Sequence, residues 1–189
     1  MSDPGLLLAV GAADFAAKRH VLQRRKGAKG EPYINHLAEV AMLLADATDG
    51  SDAALAAAGF LHDTLEDTPT EYEELAAIFG ADVAELVAAV TDDKSLPKAE
   101  RKRLQIEQTP SKSARARLLK IADKISNVRS IATSPPADWD SARALEYVDW
   151  AEQVVAGCRG LNVNLEQLFD AAAMQARAAI SSRVGKEVP

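Results

Sequence analysis

The stretch AALAAAGFLHDTLEDT, residues 53–68, decides how the rest of the chain is read. From Ala53 to Leu61 it is apolar and uncharged, far shorter than the roughly 20 residues that span a bilayer, and it suits a helix buried in a protein core. That helix then delivers His62, Asp63, Glu66 and Asp67 at its C-terminal end. A spacing of four, His62 to Glu66 and Asp63 to Asp67, puts an imidazole and three carboxylates along one broad face. So many buried carboxylates call for a cation. Neutral imidazole and carboxylate oxygen suit a divalent ion such as manganese, iron or zinc. Standing alone, a His-Asp pair also reads as a solvated helix end, so the remaining polar residues of apolar helices have to be weighed with it.

Two such helices stand out. His36 follows Pro32 at the start of a helix whose core face is Leu37, Val40, Ala41, Leu43 and Leu44. A lone histidine there is ordinarily a satisfied core group, but this one can reach a shared centre. Asp123 interrupts the apolar run Leu118, Leu119, Ile121, Ala122, Ile125, Val128. An unpaired carboxylate in that position costs several kcal/mol, so it needs a metal or an ion pair with Lys120, Lys124 or Arg129. Asn127, one turn later on the same stripe, adds a second inward polar group.

Composition narrows the class. The chain has 189 residues, a net charge of −6, 48% hydrophobic and 5% aromatic residues. This suits one all-α domain built from close-packed Ala- and Leu-rich helices. The acidic balance argues against DNA or RNA as partner, and any anionic ligand must meet a local basic cluster. The single Cys158 reads as a small buried hydrophobe, and reducing cytoplasm is the compartment that suits it. Neither a signal peptide nor a membrane-spanning segment is read, while a homo-oligomer stays open.

Capping signals divide the chain into helices. Ser2, Asp3 and Pro4 open one that reaches toward Lys26, with Gly27 and Gly30 breaking it, and Pro32 starts another through about Ala47. Ser51 or Asp52 caps the next. Thr70 with Glu73 makes a capping box for a short helix that Gly80 closes. Pro97 starts a helix to Gln108, Ser111 or Ser113 one toward Ile131, Asp138 one past Trp150, and Asn162 or Asn164 the last. The expected layout is a single compact helical bundle, a core of about 5–160 with a C-terminal helix of about 162–183.

Several motifs in order then resemble the HD superfamily of metal-dependent phosphohydrolases, and within it the small stand-alone SpoT-type (p)ppGpp hydrolases. They are HVLQRRKG (20–27), PYINH (32–36), HDTLEDT (62–68), VTDDKSLPKAERKRLQ (90–105), LLKIADKISNVR (118–129) and EYVDWAEQVV (146–155). The resemblance implies an HD-domain fold in which His36, His62, Asp63 and Asp123 hold one manganese ion. It assigns Glu66 and Asp67 as catalytic carboxylates, with a further site role for Asn127. It also places Arg25 against the guanine base with Lys26 beside it, and Lys98, Arg143 and Tyr147 along the substrate. Ser126 departs from the tyrosine that relatives often carry.

The chemistry is self-consistent. A divalent ion lowers the pKa of water and supplies a nucleophile at phosphorus, while a carboxylate orients it or moves its proton. Spacing alone does not divide those roles between Glu66 and Asp67. The activity implied is manganese-dependent removal of pyrophosphate from the 3′ position of ppGpp or pppGpp. A 2′-phosphatase acting on NADPH would use the same centre, and a non-catalytic alarmone sensor would keep only the fold. His20 reads as a supporting structural residue, and Trp139 and Trp150 as core or interface anchors.

Overall fold

The computed structural model describes the backbone of residues 3–187 and the side chains of residues 3–183. Its helices are α1 (Pro4–Arg19), α2 (Ile34–Ala47), α3 (Ala53–Leu61), α4 (Thr64–Asp67), α5 (Tyr72–Phe79), α6 (Ala81–Val90), α7 (Lys98–Gln108), α8 (Ala114–Thr133), α9 (Ser141–Ala156) and α10 (Val163–Glu187). The all-α class read from composition is the one observed, with no strand among the described residues. None of these helices is long and apolar enough to cross a membrane.

Side-chain caps account for most of the helix starts. Asp3 accepts from Gly5 and Leu6, Asp52 from Leu55, Ser113 from Ala116, Asp140 from Arg143 and Asn162 from Leu165, each bond satisfying an otherwise orphaned amide. Ser2 lies outside the described residues. Five expectations shift. α1 stops at Arg19, because residues 20–33 turn back on themselves through Arg25 N to Glu31 O and Tyr33 N to Gln23 O. The Thr70–Glu73 box does not form: α5 starts after Glu71, and the Thr70 hydroxyl bonds that of Thr68 instead. Asp140 rather than Asp138 caps α9, and α2 begins at Ile34.

The fifth difference matters most for the site. Residues 53–68 are not one helix: α3 ends at Leu61 and α4 begins at Thr64. Asp63 sits near φ −100°, ψ 0°, and the Thr64 hydroxyl donates to Leu61 O at 2.6 Å, drawing a carbonyl out of the helical pattern. The face shared at four-residue spacing is therefore broken, and Glu66 and Asp67 stand on a separate short helix.

The core forms where α8 lies against α2, α9 and α10, and α3 against α1, α2 and α6. Leu37, Leu44, Leu55, Leu61, Leu119, Ile125 and Phe169 are fully buried there, each such side chain adding about 1.5–3 kcal/mol of transfer free energy. Glycine is required at Gly59, where a Cβ would stand 2.7 Å from the Ala41 Cα, so α2 and α3 meet backbone to backbone. That approach brings the C-terminal end of α3 next to the start of α2, which places His62 beside His36. In contrast, α7 buries no residue completely and stands off the core against α9, forming one wall of a cleft.

Candidate metal centre and nucleotide cleft

Three helices meet at one buried point. α2 supplies His36, the α3–α4 break supplies His62 and Asp63, and α8 supplies Asp123. His36 is 3% and His62 5% exposed. The His36 Nε2 lies 3.6 Å from Asp63 Oδ2 and 3.5 Å from Asp123 Oδ1. The His62 Nε2 lies 3.2 Å and 3.7 Å from the same two oxygens. Donor atoms of His36, His62 and Asp123 all fall within 4.8 Å of one another.

The hydrogen bonds around the two imidazoles leave the right atoms free. His62 Nδ1 donates to Gly59 O at 2.9 Å, so its lone pair is on Nε2, which is buried with no hydrogen-bond partner among the described residues. For His36 the chain is longer. The Ser126 hydroxyl donates to the Glu39 carboxylate at 2.6 Å and so accepts from His36 Nδ1 at 2.8 Å, again leaving Nε2 with its lone pair. Arg129 in turn holds Glu39 at 2.8 Å. Ser126, the departure from the resembling pattern, thus orients a ligand-type histidine. Two imidazole nitrogens and two carboxylate oxygens converging on one point fit a divalent cation.

The two aspartates make this point favourable for positive charge, so that a divalent ion on the Nε2 atoms would take the place of a proton on His62. Burial opposes charge on His62, but Asp63 and then Asp123 outweigh it and push the imidazole up to about 10. Burial lowers His36. Burial also opposes the Asp123 charge, but Lys124 and His62 hold its carboxyl far below the usual range. The ion-pair alternative for Asp123 is realised on one oxygen only: Lys124 Nζ is 2.9 Å from Oδ2, while Oδ1 faces the histidines. Tyr33 donates to Asp63 Oδ2 at 2.7 Å.

Glu66 and Asp67 do not join this cluster. Glu66 lines a small polar cavity of about 150 Å³ together with His62, Asp63 and Asp123 and also the adjoining cleft of about 540 Å³, whereas Asp67 lines the cleft alone. Glu66 Oε2 accepts from Asp92 N and Oε1 from Arg101, both at 3.4 Å. Burial, and then the charges of Asp63, Asp92 and Asp67, raise its pKa. Asp67 is more exposed and pairs with Lys94 and with Gln23, the latter at 2.9 Å. Asn127 bridges the two regions, donating to Asp123 Oδ1 at 2.6 Å and accepting from Arg25 at 2.8 Å.

Arg25, Lys26, Lys98 and Tyr147 line the cleft, as does Asn127. Arg143 does not. It lies at the rim, exposed, 3.4 Å from Asp138 and with its guanidinium 4.9 Å over the Trp139 ring. The basic wall also includes Arg101 and Lys102, which share with Lys98 the basic helix start after Pro97, and Lys94, which sequence reasoning did not single out. Trp139 and Trp150 pack against the core as expected and also line this cleft, one on either side of Tyr147. Tyr147 and Trp150, three residues apart, signal a shared helical face. Tyr33 and Gln23 sit inside the quoted motifs, yet nothing in their spacing discloses which carboxylate each one meets.

An all-α chain that gathers two histidines and two aspartates beside a basic cleft has the donor set and the setting of a metal-centred nucleotide-binding domain. It belongs to the HD domain family, whose model matches residues 12–151. Among its relatives is the guanosine-3′,5′-bis(diphosphate) 3′-pyrophosphohydrolase MESH1 of Homo sapiens, 50% identical over 156 residues that cover 82% of this chain and 87% of that one. The MESH1 of Danio rerio is 49% identical, covering 82% and 86%. A solved structure, that of a metazoan ortholog of SpoT that hydrolyzes ppGpp and plays a role in starvation responses, superposes with a TM-score of 0.86 at 40% identity, over 93% of this chain and 97% of that one.

Proposed function

We propose that this protein is a manganese-dependent guanosine-3′,5′-bis(diphosphate) 3′-pyrophosphohydrolase, built as a single HD-type domain and acting in the cytoplasm. The observation that carries the reading is the convergence of His36 Nε2, His62 Nε2, Asp63 and Asp123 on one point at the floor of a cleft with a basic wall. The relatives' activity agrees with it.

In this reading His36, His62, Asp63 and Asp123 would hold the ion, which when bound polarises phosphoryl oxygen and makes water a better nucleophile. Glu66 and Asp67 orient the water and move its proton. Water oxygen bonds to the phosphorus attached at the 3′ position, the P–O3′ bond breaks, and O3′ takes up a proton, releasing pyrophosphate with GDP or GTP. Arg25, whose guanidinium is flat and held by Asn127, is suited to stack on the guanine base, and Lys26 and Lys98 neutralise phosphates. Tyr147 closes the far wall, and Arg143 acts from the rim.

The test is turnover by metal-stripped and manganese-reloaded protein offered ppGpp, pppGpp and NADPH in parallel, with products resolved by chromatography. Pyrophosphate and GDP from ppGpp only after reloading is the expected result. Dephosphorylation of NADPH alone would move the substrate assignment, and metal-bound protein silent on every substrate would refute an enzymatic role.

A further inference from the structure

One buried side chain stands next to the site with no part in the proposed reaction. His20, immediately after α1, closes that helix through its backbone N–H to Ala16 O and is 3% exposed, and its imidazole takes no part in that cap. Its Nδ1 is 2.5 Å from the Gln23 Oε1, while its Nε2 is buried without a hydrogen-bond partner among the described residues. An amide oxygen accepts only, so Nδ1 carries the proton and donates it to Gln23. With its oxygen engaged in this way, the Gln23 amide can turn only its NH₂ toward Asp67 Oδ2, where it donates at 2.9 Å. The His20 ring also stacks on Tyr33, with centroids 5.2 Å apart and planes at 24°, and Tyr33 is the residue that donates to Asp63.

We infer that His20 is a positioning residue for Asp67, acting through the Gln23 amide, whose orientation it sets. A glutamine amide otherwise presents its oxygen or its nitrogen with nearly equal ease, and an oxygen turned toward Asp67 would repel the carboxylate. Lys94 reaches Asp67 from the opposite side but on a more exposed, flexible stem. The His20–Gln23 pair is therefore the directional half of the grip on Asp67. The inference rests on the proposed hydrolysis for its kinetic consequence, but not for the hydrogen-bond arrangement itself.

Kinetics of manganese-loaded His20→Leu, Gln23→Leu and the His20→Leu/Gln23→Leu double variant test it. Loss of kcat by about tenfold or more is expected for each single variant, with KM held within about twofold and manganese content unchanged. The double variant is expected to be no worse than either single, because both break one relay. Additive losses or a change in KM alone would overturn the inference. Independently of activity, ¹⁵N NMR of the wild-type imidazoles should show His20 protonated on Nδ1. An Nε2-protonated tautomer would overturn it even in a protein that turns over ppGpp, whereas absence of turnover with the Nδ1 tautomer intact would count only against the proposed hydrolysis.

Discussion

Asn127 has one amide and two obligations: its nitrogen donates to Asp123, and its oxygen accepts from Arg25. One side chain thus ties the orientation of a ligand-type carboxylate to that of the guanidinium suited to a base. Removing the guanidinium with Arg25→Ala should raise KM for ppGpp about tenfold while kcat changes much less, and unchanged steady-state kinetics would take Arg25 out of the site. Asp123→Asn removes one anionic ligand and should abolish manganese binding and turnover together, as read by metal analysis of the purified variant. Glu66 bears on pH. Burial and neighbouring carboxylates put its folded-state pKa above the unfolded value, so its favourable contribution is present below about pH 4 and is lost as pH rises through the folded value. Metal-free Glu66→Gln should then be at least as stable as metal-free wild type at pH 7, with the difference closing toward about pH 4, while kcat of the manganese-loaded variant falls roughly 10²–10⁴-fold. A clear loss of stability at pH 7 in a denaturant titration would contradict the sign.

Elements, rather than single residues, set how the donors meet. The α2–α3 contact depends on Gly59, whose carbonyl also holds His62 Nδ1. Gly59→Ala forces a methyl against the α2 backbone and should cost about 1–3 kcal/mol in chemical denaturation, with weakened metal affinity as a second effect. At this scale the sequence was legible in part. Caps at Asp3, Asp52, Ser113 and Asn162 could be read because each is a local bond between a side chain and an amide a few residues away. The break between α3 and α4 could not, since the motif's four-residue spacing suits an unbroken helix and the Thr64 bond to Leu61 O that interrupts it leaves no periodic signal. The same limit explains Arg143: four-residue spacing to Tyr147 aligns two positions on a helix, but a long side chain is free to lie over Trp139 at the rim.

Across the whole molecule an acidic chain concentrates positive charge in one place. The net charge is −6, yet Arg25, Lys26, Lys94, Lys98, Arg101 and Lys102 share a single cleft. Attraction of a multiply charged nucleotide to that wall is screened by salt, so kcat/KM for ppGpp should fall several-fold as ionic strength rises from about 0.05 to 0.5 M, a range in which the screening length shrinks from above ~10 Å to below ~5 Å. A salt-independent kcat/KM would argue against an electrostatic role for the wall. Composition and helix periodicity were enough to establish an all-α chain, and the polar interruptions of apolar runs drew attention to His62, Asp63 and Asp123, because burying a charge is costly enough to show in the pattern itself; the full set with His36 came from the resemblance to the HD superfamily. Which lone pairs face inward, how Ser126 and Gln23 orient their neighbours, and that Glu66 and Asp67 line a cleft shared with Trp139 and Trp150 were decided only by the tertiary structure. Those arrangements depend on side chains separated by tens of residues, and no local spacing encodes the distance between them.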